Sequence, residues 1–513
     1  MKRTCGILLP VTSLPSAYGI GSFSKEAYQF VDFLSDAGQS YWQILPLGQT
    51  GYGDSPYQSF STFAGNPYFI DPEALIQAGY LSAEQAESVD FGDNPGSVNY
   101  EKIYRGRFTL LRAAYDNSPF ALKPWHPWDG PQYDRDRESF QTFLSEEDAW
   151  LPDYALYSAI KGANGGASYI EWPKELRLRR PAAMERARKE LADEIRFYEF
   201  QQYLFAGQWK ALKSYANRKG IQIIGDLPIY VAFDSADTWS HPELFELDEK
   251  GYPVVVAGCP PDGFSATGQL WGNPIYRWEY HRETGYRWWI ERMANCFRMY
   301  DAVRIDHFRG FDEYYAIPYG NPTAEFGTWR PGPGLELFRA VRKALGKQQI
   351  IAEDLGYITD SVRRLVKTTG FPNMKVLQFA FDAREPGTGD YLPHNYPTNC
   401  VVYTGTHDNE TMRGWYNHVS RKERAYARDY AGVSSEKTAA WSFIRAAFGS
   451  VADTCIIPMQ DYLNLGDEAR INEPSTLGGN WEWRMLPDAC DARLAARIRR
   501  LAQIYGRLQG TCV

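Results

Sequence analysis

The segment AVRIDHFRG, residues 302–310, places two arginines, an aspartate and a histidine on what is otherwise a short apolar run. In a strand, alternate residues share a face, so Arg304, Asp306 and Phe308 point one way and His307 points the other. A buried carboxylate is costly unless it is paired, and Arg304 is placed to keep Asp306 ionised. Taken alone, the segment fits a structural ion pair as well as it fits a catalytic site.

Three more carboxylates follow similar apolar runs: Asp226 in IIGDLPIY, Glu353 in IIAEDLG and Asp408 in YTGTHDN. A single acid at a strand end is more often a helix cap or a loop ion pair, but the ends of parallel strands in one barrel converge on a single mouth. Glycoside chemistry needs two carboxyl groups there, one ionised as nucleophile or base and one protonated as acid. Apolar neighbours should raise the pKa of Glu353, which favours it as the acid.

The elements that would position these carboxylates are eight apolar runs with the composition of strands buried on both faces. Helical patterns separate many of them. The runs begin at Cys5, Tyr41, Ile221, Ala302, Gln348, Met374, Cys400 and Thr454. This alternation predicts a protein of the α/β class, a (β/α)8 TIM barrel with its active site at the carboxyl ends of the strands.

The spacing of the runs is uneven, which predicts insertions into a single barrel that spans residues 1–513. Residues 51–220 separate the second run from the third, and we expect a mostly helical inserted subdomain there. Residues 232–280, rich in Gly and Pro, predict an inserted active-site loop subdomain between the third and fourth strands. The eighth run ends near Leu463, so the sequence leaves no room for an additional C-terminal β-domain.

Composition excludes several classes of function. The net charge is −8 and no run of basic residues offers a phosphate footprint, so we expect no nucleic-acid partner. The seven cysteines are scattered without a C-x-x-C pair, which favours a reducing compartment over disulfides or a zinc site. Pro10 interrupts the apolar run near the N-terminus, and no apolar stretch reaches 18 residues, so the sequence predicts no membrane segment and a cytoplasmic location.

Several long motifs carry a resemblance to a known family. They are GILLPVTSLPSAYGIGSF, GYGDSPYQSFSTFAGNPYFID, GDLPIYVAFDSADTW, GQLWGNPIY, RIDHFRG, IAEDLG, GTHDNET and ARINEPSTLGGNWEWR. Together they resemble the 4-α-glucanotransferases, or amylomaltases, of glycoside hydrolase family 77, from about Cys5 to Arg484. The resemblance implies the same barrel without a C-terminal β-domain, α-1,4-glucans and maltooligosaccharides as substrates, and the retaining mechanism of the α-amylase clan. It implies no required metal or redox cofactor.

The resemblance also implies roles for individual residues. Asp306 matches the nucleophile, Glu353 the general acid/base and Asp408 the stabiliser of the transition state. The residues that match glucan contacts or hold the nucleophile are Ser55, Tyr57, Asp226, Gln269, Trp271, Arg304, His407 and Asn472. Tyr52 matches a more distant glucan contact of some relatives, and His307 is expected to be structural.

Two alternatives to a transferase remain open at this point. A hydrolase would act on the same bonds with water as acceptor, and the carboxylates alone do not exclude it. A non-catalytic glucan-binding protein would have lost at least one catalytic carboxylate, whereas all three are present. Loops 257–278 and 463–481 carry aromatic residues and glycines suited to covering bound sugars and limiting water, which favours transfer. The sequence gives no indication of the oligomeric state.

Overall fold

The computed structural model describes residues 3–51, 53–122, 133–261, 265–356, 358–384 and 386–508. Within these ranges lie twelve strands: β1 (Thr4–Leu8), β2 (Tyr41–Gln43), β3 (Gln222–Pro228), β4 (Val255–Cys259), β5 (Gln269–Pro274), β6 (Ala302–Asp306), β7 (Glu313–Pro318), β8 (Thr328–Pro331), β9 (Ile350–Ala352), β10 (Asn373–Val376), β11 (Cys400–Tyr403) and β12 (Thr454–Pro458).

Eight of these strands close into a parallel barrel in the order β1, β2, β3, β6, β9, β10, β11, β12. They are the eight runs that the sequence singled out, so the predicted barrel is confirmed. β1 and β11 are buried along their whole length, as strands covered on both faces must be. The register between β3 and β6 sets Asp226 opposite Arg304 and Pro228 opposite Asp306. That register brings charged residues from two strands to the same end of the barrel.

Nineteen α-helices lie in the described part of the chain: α1 (Lys25–Asp36), α2 (Pro72–Gln77), α3 (Ala83–Glu87), α4 (Tyr100–Asp116), α5 (Asp134–Glu146), α6 (Leu151–Ala163), α7 (Lys174–Arg177), α8 (Pro181–Glu190), α9 (Ala192–Arg218), α10 (Ala236–Ser240), α11 (Trp278–Glu283), α12 (Arg287–Met299), α13 (Gly334–Leu345), α14 (Asp360–Thr369), α15 (Met412–His418), α16 (Arg421–Ala431), α17 (Ala439–Gly449), α18 (Met459–Tyr462) and α19 (Ala492–Ile504). The last helix packs against the first and so closes the outer ring.

The segment between β2 and β3 contains α2 to α9. Its helices α6 and α8 share a hydrophobic cluster with Trp239 of α10 that is separate from the main core. The second half of α9 instead buries Phe205, Trp209 and Leu212 in the main core, against the barrel. The subdomain limits of 51–220 and 232–280 stay predictions.

A second sheet was not expected from the sequence. Strands β5, β4, β7 and β8 form a four-stranded antiparallel sheet in that order. β4 and β5 come from the segment after β3, whereas β7 and β8 follow β6, so two separate parts of the chain build this sheet. It carries Gln269 and Trp271 on β5. No strand follows β12 in the part of the chain that is described, which agrees with the expected lack of a C-terminal β-domain.

No helix among the described residues combines the length and apolar character needed to cross a bilayer.

Candidate active site

Four carboxylates converge at the carboxyl ends of the barrel strands. Asp226 lies on β3, Asp306 is the last residue of β6, Glu353 directly follows β9, and Asp408 lies in the loop after β11. Each is at the end of its strand that faces the common mouth, where the loops of a (β/α)8 barrel meet. The convergence expected from the sequence is therefore present.

Arg304 joins two of these carboxylates. Its Nη1 donates to both oxygens of Asp226, at 2.8 and 2.7 Å, and its Nη2 donates to Asp306 Oδ1 at 2.8 Å. The Arg304 side chain is 3% exposed and that of Asp226 is fully buried, whereas 28% of the Asp306 side chain reaches solvent. Asp226 is thus the buried counterion, and Asp306 is the carboxylate of this trio that reaches the open mouth.

Burial and charge have opposite effects on the pKa values of Arg304 and Asp226. Burial would lower the pKa of the Arg304 guanidinium, but Asp226 and Asp306 together raise it well above its ordinary value. Burial raises the pKa of Asp226, and the charge of Arg304 opposes that shift. Arg304 therefore stays protonated and supplies a fixed positive charge beside Asp306.

Glu353 is held by backbone donors. Its Oε2 accepts a hydrogen bond from the His307 N–H at 2.7 Å, and its Oε1 accepts one from the Leu355 N–H at 2.7 Å. His307 has a left-handed backbone with φ of 49°, a strained conformation for a non-glycine residue that here places its N–H beside Glu353. Burial raises the pKa of Glu353 to about 7, against the opposing charge of Arg304. The raised pKa expected from the sequence is confirmed.

The opposite side of the mouth is an ion pair between His407 and Asp408. Their Nε2 and Oδ2 atoms are 3.2 Å apart, and Asn472 Nδ2 donates to Asp408 Oδ1 at 2.7 Å. Burial would raise the pKa of Asp408, but His407 and the Asn472 bond outweigh it and hold that pKa at about 2. Burial lowers the pKa of His407, but Asp408 raises it further, so the net shift is upward. Asp408 is therefore a permanent negative charge.

Tyr57 connects the two sides. Its hydroxyl lies 2.7 Å from Asp226 Oδ2, to which it donates, and 2.9 Å from His407 Nε2. Its ring stacks on the His407 imidazole with centroids 5.2 Å apart, and its backbone N–H is held by Ser55 Oγ at 3.3 Å. The centroid of the Trp481 ring lies 5.9 Å from that of Tyr57 and 6.0 Å from that of His407. The sequence did not single out Trp481, although the motif GGNWEWR that contains it was available as a signal.

Trp271 of the antiparallel sheet lies on the Glu353 side of the mouth, next to His307. Trp271 Nε1 donates to Gln269 Oε1 at 3.0 Å, and its ring meets the edge of His307 at 4.8 Å. His307 is thus more than the satisfied structural residue expected from the sequence, since its Nε2 has no hydrogen-bond partner among the described residues and its N–H holds Glu353. Tyr52 lies outside the described residues.

One group of possible metal ligands lies beside this mouth. Glu410, His418 and Asp467 place ligand atoms within 4.8 Å of one another. His418 Nδ1 pairs with Glu410 Oε1 at 2.7 Å and with Asp467 Oδ2 at 3.1 Å, so the three side chains satisfy one another. The trio is a local ion-pair network in this structure.

A parallel (β/α)8 barrel with carboxyl groups of unequal pKa at its mouth has the arrangement that catalysis at glycosidic bonds requires. The comparison with known families is more specific. The model of the 4-alpha-glucanotransferase family, glycoside hydrolase family 77, matches residues 9–489. The chain belongs to this family.

Relatives named 4-alpha-glucanotransferase align with almost the whole chain. The 4-alpha-glucanotransferase of Clostridium butyricum is 49% identical over 503 residues, which cover 97% of this chain and 100% of that protein. The 4-alpha-glucanotransferase of Thermus thermophilus is 46% identical, with 99% and 100% covered. The activity predicted from the sequence, transfer of α-glucan segments, is therefore confirmed.

A solved structure supports the fold at the same level. The amylomaltase of Streptococcus agalactiae in complex with acarbose is 42% identical and superposes with a TM-score of 0.94 over 99% of this chain and 100% of that one. An amylomaltase of Corynebacterium glutamicum shares the fold at 18% identity and a TM-score of 0.73, covering 99% of this chain and 74% of that one.

Proposed function

We propose that this 4-α-glucanotransferase moves α-1,4-glucan segments from a maltooligosaccharide or starch-type donor to the 4-hydroxyl of a second glucan or glucose through a covalent glucosyl–enzyme on Asp306. The observation that carries the proposal is the pairing of unlike carboxyls at one mouth. Asp306 is bound to a cationic Arg304, while Glu353 has a pKa of about 7. A retaining enzyme needs one carboxyl in each state.

In the first half-reaction Asp306 attacks the anomeric carbon. Arg304 Nη2 engages Oδ1 of Asp306, which leaves Oδ2 to form the new bond. The bond from the anomeric carbon to the glycosidic oxygen breaks, and Glu353 transfers its proton to that oxygen. The leaving glucan departs neutral, and Glu353 is left ionised. Its two backbone N–H donors, from His307 and Leu355, stabilise that charge.

In the second half-reaction Glu353 acts as a base. It takes the proton of the acceptor 4-hydroxyl, whose oxygen attacks the anomeric carbon and releases Asp306. Asp408, with a pKa of about 2, stays ionised and favours the transition state as positive charge develops on the sugar ring. Asp226, Tyr57, His407 and Asn472 hold these groups in place. Ser55, Gln269 and Trp271 are proposed to line the glucan cleft.

One relative supports the choice of substrate. The S. agalactiae amylomaltase was solved in complex with acarbose, and this chain covers all of that structure. We extend binding of an α-glucan-type ligand to this mouth. We also propose a cytoplasmic location, which the unpaired, buried thiols of Cys5, Cys296, Cys400 and Cys455 support.

Incubation with maltotriose alone tests the proposal. Transfer gives glucose together with a ladder of maltooligosaccharides longer than the donor, resolved by chromatography. An Asp306→Ala protein, which lacks the proposed nucleophile, serves as the control and should give no ladder. Release of glucose and maltose without longer chains would instead identify a hydrolase.

A further inference from the structure

The loop from Thr404 to Met412 carries His407 and Asp408 between β11 and α15. Its middle is held where the chemistry takes place, since Arg470 Nη2 donates to the Asp408 carbonyl at 3.1 Å and the Asn472 N–H donates to the His407 carbonyl at 3.0 Å. Both donors belong to the segment after β12. A loop that is held only in its middle can still pivot, so what holds its two ends matters.

Gln378 donates to the Thr404 and Glu410 carbonyls, at 3.3 and 2.8 Å, and Asp467 accepts the Thr411 N–H at 3.1 Å. Asp461 of α18 also bonds to both ends of the loop. Its Oδ2 accepts a hydrogen bond from the Thr404 hydroxyl, and its Oδ1 accepts one from the Met412 N–H at 2.7 Å. Asp461 is 1% exposed and Thr404 is fully buried. The Met412 N–H is in the first turn of α15, where a backbone donor lacks a partner within the helix and a negative charge is favoured.

The site occupied by Asp461 is costly for a carboxylate. Among the described residues no Arg, Lys or His side chain pairs with it, and its charged neighbour is another acid, Asp467. Burial raises its pKa to about 6, although the bonds from Thr404 and Met412 oppose the shift. A buried carboxyl without a paired cation costs stability unless hydrogen bonds compensate for its lost solvation. The hydrogen bonds from Thr404 and Met412, at opposite ends of one loop, supply that compensation.

We propose that Asp461 is a positioning residue that fixes both ends of the Thr404–Met412 loop and so sets the place of Asp408 at the mouth. The inference rests on the proposed role of Asp408. Asp408 acts on charge that develops in the transition state, so a displaced loop lowers kcat more than it weakens substrate binding. A purely structural role would lower the stability of the enzyme without that selectivity.

The test is steady-state transfer from maltotriose by Asp461→Ala and Asp461→Asn proteins. Misplacement of a group by about 1 Å costs up to roughly 100-fold in rate, so we expect kcat of Asp461→Ala to fall about 10- to 100-fold while KM changes less than about threefold. In Asp461→Asn the amide accepts from the Met412 N–H and donates to the Thr404 hydroxyl. We therefore expect its kcat within about fivefold of the wild-type value.

Asp237 provides a matched control. It is 4% exposed, lies on α10 and accepts the Thr62 N–H at 2.8 Å, away from the Asp408 loop. Asp237→Ala should lower the melting temperature as Asp461→Ala does but leave kcat within about threefold, since the donor that it leaves unpaired, the Thr62 N–H, is outside the Thr404–Met412 loop. Equal losses of kcat in the two variants would overturn the inference.

Thr404→Val decides the matter if Asp461→Ala does not fold. It keeps the volume and removes the donor, and we expect kcat to fall about 3- to 10-fold at unchanged KM. Wild-type kcat in this variant would overturn the inference. The enzyme itself and Asp408→Asn are measured alongside. Absence of transfer by the wild-type enzyme refutes the proposed function, and normal kcat in Asp408→Asn refutes the role on which the inference rests. Normal kcat in Asp461→Ala alone refutes only the loop anchor.

Discussion

At the scale of single residues, Arg304 donates hydrogen bonds to two carboxylates, Asp226 and Asp306. This makes the environment of Asp306 different from that of Glu353. Both terminal nitrogens are occupied, Nη1 by Asp226 and Nη2 by Asp306. Glu353 receives backbone donors instead of a guanidinium, and burial dominates its pKa. Glu353 therefore retains a proton near neutral pH, whereas Asp306 has the Arg304 guanidinium beside it. The first two predictions follow from this difference.

Replacement of the two carboxyls should give different results with an activated donor. Asp306→Ala should abolish transfer from every donor, because no other group is placed to form the glycosyl–enzyme. Glu353→Gln should be equally inactive with maltotriose, but fluoride leaves with little acid assistance, so glycosylation from maltosyl fluoride should survive. Mass spectrometry of that variant should find an added sugar mass on the Asp306 peptide. A label on Asp408 would contradict the roles assigned above.

The pH dependence should report the proton on Glu353. Its folded-state pKa is raised to about 7, so the acid form required in the first step is lost as pH rises through about 7. The kcat/KM for maltotriose should therefore fall about tenfold per pH unit above that value. The initial burst of fluoride from maltosyl fluoride needs no acid and should lack this limb. The same alkaline limb with both donors would assign it to a different group.

At the scale of elements, the barrel depends on close approach between its strands and the segments packed on them. Gly225 of β3 is an example, since a Cβ there would lie 2.2 Å from the Tyr300 ring. β3 therefore requires glycine at position 225, next to Asp226. The second sheet also packs closely at the mouth, since it places the Trp271 ring with its centroid 4.8 Å from that of the His307 ring.

A pair of glycine substitutions tests this packing. Gly225→Ala should lower the free energy of unfolding by about 1–3 kcal/mol through overpacking against Tyr300. Gly207→Ala is the control, since a Cβ added at Gly207, on the exposed face of α9, would have no neighbouring atom within 4 Å. It should raise that free energy by up to about 1 kcal/mol because alanine favours the helix. Denaturant unfolding of both proteins gives the comparison, and equal effects would refute the packing argument.

At the scale of the whole molecule, the acids at the mouth are paired with cationic side chains from several parts of the chain. Arg304 and His407 supply the positive charges, and the acids they pair with are Asp226, Asp306 and Asp408. The net charge of the chain is −8, and the mouth nevertheless places two cationic side chains, Arg304 and His407, among its acids. We expect these side-chain pairs to assemble the mouth without an added cation.

Removal of metal ions should therefore leave the enzyme unchanged. We expect transfer from maltotriose and the melting temperature to be the same before and after exhaustive treatment with a chelator. A fall in melting temperature that added cation restores would contradict the expectation. His418→Ala, which removes one member of the Glu410, His418 and Asp467 network, would then show whether that network binds the ion.

The sequence determined the barrel and its four carboxylates. Eight buried apolar runs are a strong local signal, because strands covered on both faces carry few polar residues. The barrel then forces their ends to one mouth, so position in the chain was enough to bring Asp226, Asp306, Glu353 and Asp408 together. The low polarity around Glu353 also predicted the direction of its pKa shift, which the structure bears out.

Tertiary structure alone decided which groups touch. The division of Arg304 between Asp226 and Asp306 depends on the register of β3 against β6, which no local pattern specifies. The antiparallel sheet joins strands on either side of β6, and the two ends of the Asp408 loop meet Asp461, 57 residues from Thr404. Such contacts depend on segments far apart in the chain, and a sequence pattern records only near neighbours. For that reason the residues and the local pair of Arg304 with Asp306 were predictable, and the partners from distant segments were not.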